Sequence, residues 1–223
     1  YKFMIRINEQ EPAVACLFDL DGVLIDSETE YTRFWKKVGL RYRPDVPDLA
    51  IRIKGTTLDN ILDTYFPTEL HPEIIKAIDE QERNMSYDIK PGVTDLLTLL
   101  MERDIPAVMV TSSNNQKMSR LWEQHPQFRD WFSHIVTADM ISRSKPDPEG
   151  YLLGAGMAGV PVRRCCVFED SRQGVMAGRN AGAYVVGVAG TLPAAAIAPY
   201  SDRVIDTLKG FDVDELVSIL RSR

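Results

Sequence analysis

The chain alternates between short uncharged apolar runs and longer segments whose apolar residues recur at helical spacing. The first clear run is Val14-Ala15-Cys16-Leu17-Phe18. A run of this kind reads as a strand buried on both faces of a sheet. Similar runs predict strands at 107–110, 135–137, 165–168 and 184–188, with a short sixth at 204–205. Between them, apolar spacing predicts helices at 93–103, 116–124, 149–157, 171–181 and 213–220. Strands that alternate with helices imply a parallel sheet covered on both faces, a doubly wound α/β fold.

The stretch from 26 to 90 breaks this pattern. Ser27 and Glu30 have the spacing of an N-cap and capping box. Tyr31, Phe34, Trp35 and Val38 then recur at helical spacing, and Gly39 is expected to end that helix. Residues 41–48 hold Pro44 and Pro47 and read as a loop. Leu58, Ile61, Leu62 and Tyr65 mark an amphipathic helix over 57–66, stopped by Pro67, and a further helix is expected over 72–87. No strand is predicted here. The division is therefore a core of residues 1–26 and 91–223, with an inserted all-helical cap of residues 27–90. Residues 8–12 are polar and read as a lead-in loop.

Composition narrows the class. A length of 223 residues suits one core domain with a modest insert. Hydrophobic residues at 44% and charged residues at 26% give an ordinary globular balance. A net charge of −6 weighs against non-specific nucleic-acid binding. No window approaches the ~18 apolar residues of a membrane span. Lys2 and Arg6 interrupt the apolar residues of 1–7, so the continuous apolar core of a signal peptide is absent there. Cys16, Cys165 and Cys166 are odd in number and lie in strand-like runs, which does not describe a disulfide framework. Cys16 and Cys166 are expected as buried thiols. No Cys/His spacing suggests zinc. His71, His125 and His134 are scattered, and the first two precede prolines, as in loops or helix ends. The expectation is a cytoplasmic monomer acting on a small molecule, with no nucleic-acid or membrane partner.

The chemistry collects at predicted strand ends. Asp19 and Asp21 close the first strand, with Gly22 placed to turn the chain. Thr111-Ser112-Ser113-Asn114 follows the 107–110 strand, Lys145 lies in the loop after the 135–137 strand, and Glu169-Asp170 closes the 165–168 strand. In a parallel sheet all these ends open on one edge, where ligands bind. Carboxylates gathered there repel one another and call for a cation, and oxygen-only donors suit Mg²⁺. A cation with Lys145 would attract a phosphate dianion, and Thr111 could donate to its oxygens. Two Asp residues in distinct environments can divide into nucleophile and acid/base. Each element has a bland reading as well: a charged strand-to-loop junction, a helix cap, a solvated lysine. Their joint occurrence in this order argues for a site.

Asp19-Leu20-Asp21-Gly22-Val23-Leu24, Thr111, Lys145 and Glu169-Asp170 resemble the four motifs of the haloacid dehalogenase superfamily, in order. The insert, with Lys54-Gly55, and the run from Glu169 to Val175 are similar to the β-phosphoglucomutase-like branch. The resemblance implies an aspartyl-phosphate enzyme with a Rossmann-like core and a small helical cap. It implies that Asp19 is the nucleophile, Asp21 the acid/base, Thr111 the phosphate-binding hydroxyl and Lys145 the stabilising cation. It further implies Mg²⁺ held by Asp19, Asp170 and the Asp21 carbonyl, with Glu169 bound directly or through water. Tyr31, Lys54, Gly55 and Ser112 are the implied substrate-binding residues. An Asp at position 21 favours phosphate esters over carbon–halogen bonds. Two positions depart from the mutase pattern: Tyr31 stands where the mutase has a cap His, and Thr56, Thr57 and Leu58 where it has a cap Arg. The leading expectation is a phosphatase for a small metabolite, such as a sugar phosphate. A phosphomutase is second, and a non-catalytic binding protein is third.

Overall fold

The structure, a computed structural model, describes residues 13–223. The expected lead-in loop at 8–12 lies outside the described residues. The chain runs β1 (Ala15–Phe18), β2 (Ile25–Asp26), α1 (Glu28–Tyr42), α2 (Leu49–Arg52), α3 (Leu58–Tyr65), α4 (His71–Arg83) and β3 (Asp88–Ile89). It continues α5 (Val93–Glu102), β4 (Ala107–Val110), α6 (Asn115–Gln124), α7 (Phe128–Trp131), β5 (His134–Val136) and α8 (Glu149–Met157). Then come β6 (Cys165–Glu169), α9 (Arg172–Ala181), β7 (Tyr184–Val188), α10 (Ala194–Ile197), β8 (Arg203–Ile205) and α11 (Val213–Arg221).

Six strands form one parallel sheet in the order β5-β4-β1-β6-β7-β8. β1 sits inside it, with Leu17 level with Val108 on one side and Val167 on the other. Alternate side chains feed two cores, because successive residues of a strand face opposite ways. Cys16, Phe18, Met109, Cys166 and Phe168 join Leu96, Leu97 and Leu100 of α5 and Leu216 and Leu220 of α11. Leu17, Val108, Val110 and Val167 join Tyr151 and Ala155 of α8 and Val175 and Ala177 of α9. The uncharged runs are therefore strands buried on both faces, and the doubly wound α/β fold is present.

Helices α1 to α4 have an apolar cluster of their own, built on Trp35, Val38, Leu49, Ile53, Ile61, Leu62, Phe66, Ile74 and Ile78. Three local expectations need correction here. Gly39 does not end α1, which runs on to Tyr42. A Cβ at position 39 would stand 3.3 Å from Leu49 Cδ2, so the glycine serves the close approach of α2. The stretch read as strandless contains β3, which pairs antiparallel with β2 as Ile25 with Ile89 and Asp26 with Asp88. This ribbon is two residues per strand, too short for any apolar alternation to show. The capping box also fails. The Ser27 side chain makes no cap bond and instead donates to Asp21 Oδ1. Glu30 accepts from Arg33 and Gln81. Ser27 has φ −112° and ψ −15°, a helical backbone and not the extended one from which an N-cap oxygen reaches the following N–H groups.

The three cysteines are free and buried, with Cys16 level with Cys166 across adjacent strands. Burial pushes all three thiols up, as expected of small hydrophobes in a core. Phe18 stacks on Phe168 with centroids 4.6 Å apart and meets Phe132 edge-on at 6.1 Å. Phe18→Ala should cost about 3–5 kcal/mol, read as a shift in the denaturant midpoint. A loss below about 1 kcal/mol would show that this centre does not hold the sheet.

Candidate active site

The turn after β1 starts the site. Gly22 has φ +80°, and a Cβ there would lie 1.8 Å from Asp170 Oδ2. Only glycine allows this left-handed turn to pass so close to a carboxylate. The Gly22 N–H donates to Ile25 O at 2.9 Å, and Asp19 N–H donates to Phe168 O at 3.0 Å. The turn therefore fixes Asp19 against the end of β6.

Asp19, Glu169 and Asp170 come together, each offering an oxygen within 4.8 Å of the others, and all three are buried. Lys145 is inserted among them. Its Nζ donates to Asp19 Oδ1 at 2.7 Å, Glu169 Oε1 at 2.6 Å and Val110 O at 3.3 Å. Glu169 is fully engaged. Its Oε1 also accepts from the Tyr151 hydroxyl at 2.9 Å. Its Oε2 accepts from the Asp170 and Ser171 N–H groups, each at 3.1 Å, and from Ser171 Oγ at 3.0 Å. Ser171 Oγ in turn accepts from Gly174 N and caps α9. A Cβ at Gly174 would stand 1.8 Å from the Glu169 carboxyl, so α9 can start only with glycine there.

The charges do not balance. Burial, opposed by Lys145 and reinforced by Glu169, pushes the Asp19 carboxyl up to about 8. Burial and then Glu28, Glu169 and Asp19 push Asp170 well above the carboxylate range. Burial works against Lys145, yet Asp19 and Glu169 hold it above its usual range. Asp170 Oδ2 is buried without a hydrogen-bond partner. A buried orphan oxygen beside two further carboxylates is a costly arrangement that a cation relieves. The donors are all oxygen, and they fit a hard divalent ion.

Asp21 is held elsewhere. Its side chain accepts from Ser27, from Ser113 Oγ at 3.0 Å and from Lys117 Nζ, which stands 2.6 Å from both carboxylate oxygens. Burial alone would raise Asp21, but Lys117 and the two hydroxyls outweigh it and hold the carboxyl below its usual range. The Asp21 side chain therefore lies outside the carboxylate cluster.

The Thr111 to Asn114 run divides its tasks. Thr111 is buried, and its Oγ1 accepts from Ser113 N–H at 3.0 Å. Ser112 Oγ donates to Gly55 O at 2.8 Å, and Asn114 caps α6 by accepting from Lys117 N–H at 3.0 Å. Across the cleft, Thr57 N–H donates to Ser144 Oγ at 2.9 Å. Lys54 is ion-paired with Glu28 and donates to Thr32 Oγ1 at 3.0 Å. Asp19, Asp21 and Asp170 line one cleft with Tyr31, Lys54, Gly55 and Ser112, which places the expected substrate-binding residues around the carboxylates.

Two residues escaped the sequence reading. Tyr151 sits on α8 in an apolar pattern and gave no chemical signal. Lys117 did carry a signal. It lies in the first turn of α6, where the helix dipole disfavours a cation, so an anion nearby was implied.

With this geometry in place, the class of protein follows. A family model described as haloacid dehalogenase-like hydrolase matches residues 14–182, and the chain belongs to that family. Its relatives include phosphatases and a β-phosphoglucomutase. It is 30% identical to hexitol phosphatase A of Escherichia coli, over 77% of this chain and 81% of that protein. It is 29% identical to a phosphorylated carbohydrates phosphatase of Thermotoga maritima, over 75% of this chain and 81% of that protein. Its fold is similar to that of a β-phosphoglucomutase from Clostridium difficile, with TM-score 0.76 and 22% identity, covering 94% of this chain and 98% of the other. No helix among the described residues is long and apolar enough to cross a membrane.

Lys117→Met leaves Asp21 without its cation. The expected loss is about 3 kcal/mol, the low end for a buried pair, because 17% of the Asp21 side chain stays exposed. Adding Asp21→Leu should recover most of it in urea unfolding. A single variant as stable as the parent would mean that the pair contributes nothing.

Proposed function

We propose that the protein is a Mg²⁺-dependent phosphatase that hydrolyses a small phosphorylated metabolite through an aspartyl-phosphate on Asp19. The observation that carries this reading is the buried cluster of Asp19, Glu169 and Asp170 bridged by Lys145, with Asp170 Oδ2 left unpartnered. Relatives named as phosphatases support it.

Asp19 Oδ1 is held by Lys145, and its other oxygen is the one to attack phosphorus. Lys145 keeps the nucleophile in place and offsets charge on the phosphoryl oxygens. Thr111, whose oxygen accepts from Ser113, has its hydroxyl proton free in role to donate to a phosphoryl oxygen. Asp21 gives the departing oxygen the proton it took from water in the preceding cycle, and recovers one from the water that attacks the aspartyl-phosphate. Lys117 favours the ionised form, which is the base of that second step. Asp19, Asp170 and the Asp21 carbonyl would hold Mg²⁺, with Glu169 reaching it through water because its own oxygens are engaged. The ion would supply positive charge where the phosphoryl group carries negative charge. Lys54, Gly55, Tyr31 and Ser112 would shape the space for the alcohol part. The protein would work as a cytoplasmic monomer.

The mutase is the second reading. A mutase must grip the far phosphate of a bisphosphate. Leu58 lines the cleft without charge, Tyr31 donates its hydroxyl to Glu82 at 2.7 Å, and the two cleft lysines are ion-paired with Glu28 and Asp21. These pairings favour hydrolysis.

Asp19→Asn should lower phosphate release by roughly four orders of magnitude or more, as loss of a covalent nucleophile does, with the circular dichroism spectrum unchanged. Retained turnover in folded Asp19→Asn protein would sink the mechanism. Chelation should abolish activity and added Mg²⁺ restore it, and Asp170→Asn should weaken Mg²⁺ affinity measured by calorimetry. Full turnover in excess chelator would exclude the metal. Release of phosphate from a monophosphate should need no bisphosphate activator. Bisphosphate-dependent isomerisation of β-glucose 1-phosphate with little free phosphate would establish the mutase instead.

A further inference from the structure

The cleft that opens onto Asp19, Asp21 and Asp170 has two unlike walls. The core wall is polar, with Ser112, Ser113, Asn114 and Gln116. On the cap side Trp35, Ile53, Leu58, Ile61, Ile75 and Ile78 form an apolar strip beside the polar Glu28, Thr32, Lys54, Asp79 and Glu82. Four of these, Trp35, Ile53, Ile61 and Ile78, are buried members of the cap's own core. Along that strip the cleft reaches into the cap core. Its volume is about 130 Å³, close to the roughly 150 Å³ that holds one benzene in an apolar cavity.

The charges point the same way. The cleft is lined by six carboxylates, Asp19, Asp21, Glu28, Asp79, Glu82 and Asp170, against two lysines. Both lysines are committed, Lys54 to Glu28 and Lys117 to Asp21. Lys117 is further fixed by the Tyr31 ring, 4.4 Å from its Nζ. Asp79 and Glu82 are neutralised from outside the cleft by Arg120. A second phosphate or a carboxylate on the substrate would meet carboxylates with no free cation among the lining residues. A polyol laid along the strip of Leu58, Ile61 and Ile75 would set hydroxyls against Ile and Leu side chains, where each unpaired hydroxyl costs free energy.

We propose that this site accepts a small phosphate monoester whose alcohol part is uncharged and presents a C–H face to the cap, in preference to a polyol phosphate or a bisphosphate. The assignment rests on the phosphatase reading and narrows it. The phosphate lies at Asp19 and Asp170, and the carbon chain or ring lies along Leu58, Ile61 and Ile75.

The test matches carbon skeletons. Phosphate release is compared for butyl phosphate, erythritol 4-phosphate and 1,4-butanediol bisphosphate, with purified protein and Mg²⁺. The hydroxyls of erythritol make it the better leaving group, so intrinsic reactivity runs against the expected order. In parallel, calorimetry measures butylphosphonate and 3,4-dihydroxybutylphosphonate, which cannot be hydrolysed. Butyl phosphate should exceed the other two esters in kcat/KM by at least about tenfold, and butylphosphonate should bind more tightly by a similar factor. Leu58→Asn and Ile75→Asn, at positions partly or well exposed, should shrink the ratio to within about threefold, mainly through KM. Equal or weaker binding of butylphosphonate, or preferred turnover of the polyol or the bisphosphate, would overturn the assignment. Binding in the expected order with no phosphate released from any ester would overturn the phosphatase reading alone.

Discussion

The structure depends on how buried negative charge is held at the carboxyl edge of the sheet. Asp19, Glu169 and Asp170 are all nearly out of contact with water. Burying an ionised carboxylate is costly unless it is paired. Lys145 pairs two of the three, and Glu169 spends its remaining capacity on Tyr151, Ser171 and two backbone N–H groups. Asp170 is left with an orphan oxygen. The local backbone follows from this. Gly22 and Gly174 are the positions where any side chain would collide with a carboxylate of the cluster. Arrangement of charge, and not helix or strand propensity, decides these two residues.

The second lysine ties this edge to the cap. Lys117 faces Asp21 on one side and the Tyr31 ring on the other. The Tyr31 hydroxyl donates to Glu82, which pairs with Arg120 on the same helix as Lys117. Arg120 also pairs with Asp79, and Gln116 donates to Asp79 at 2.7 Å. Helix α6 of the core thus meets α1 and α4 of the cap through one continuous polar network. Asp21 lies at its inner end, so the seating of the cap and the position of the Asp21 carboxyl share the same bonds.

The strands were legible because burial on both faces leaves uncharged runs that few other elements produce. The site carboxylates were legible because a strand that ends on paired acids breaks its own pattern. What stayed hidden was set by contacts distant in sequence. Ser27 and Glu30 have the spacing of a capping box, but the backbone of Ser27 is helical and its hydroxyl is turned to Asp21. Gly39 resembles a helix stop, yet it is a contact surface for Leu49. Tyr151 reads as an ordinary apolar helix position until Glu169 is placed above it. Local pattern reports which face is buried, whereas the partner of a polar group on that face is a property of the fold.

The division of labour between Asp19 and Asp21 has the same origin. They are two residues apart on one turn, both largely removed from water, and burial alone would raise both. Asp19 shares its single lysine with Glu169, so burial prevails and its carboxyl rises to about 8. Asp21 has a lysine on both of its oxygens and two hydroxyls besides, so its carboxyl falls below the usual range. Two carboxyls pushed in opposite directions by their surroundings are the pattern that separates roles in acid–base chemistry. In the proposed reaction Asp19 would need added positive charge to work as an anion, and the orphan oxygen of Asp170 is a candidate to bind that charge. Asp21 needs none, since Lys117 already supplies it. In the proposed reaction one group would wait on the metal and the substrate, while the state of the other is set by the fold itself.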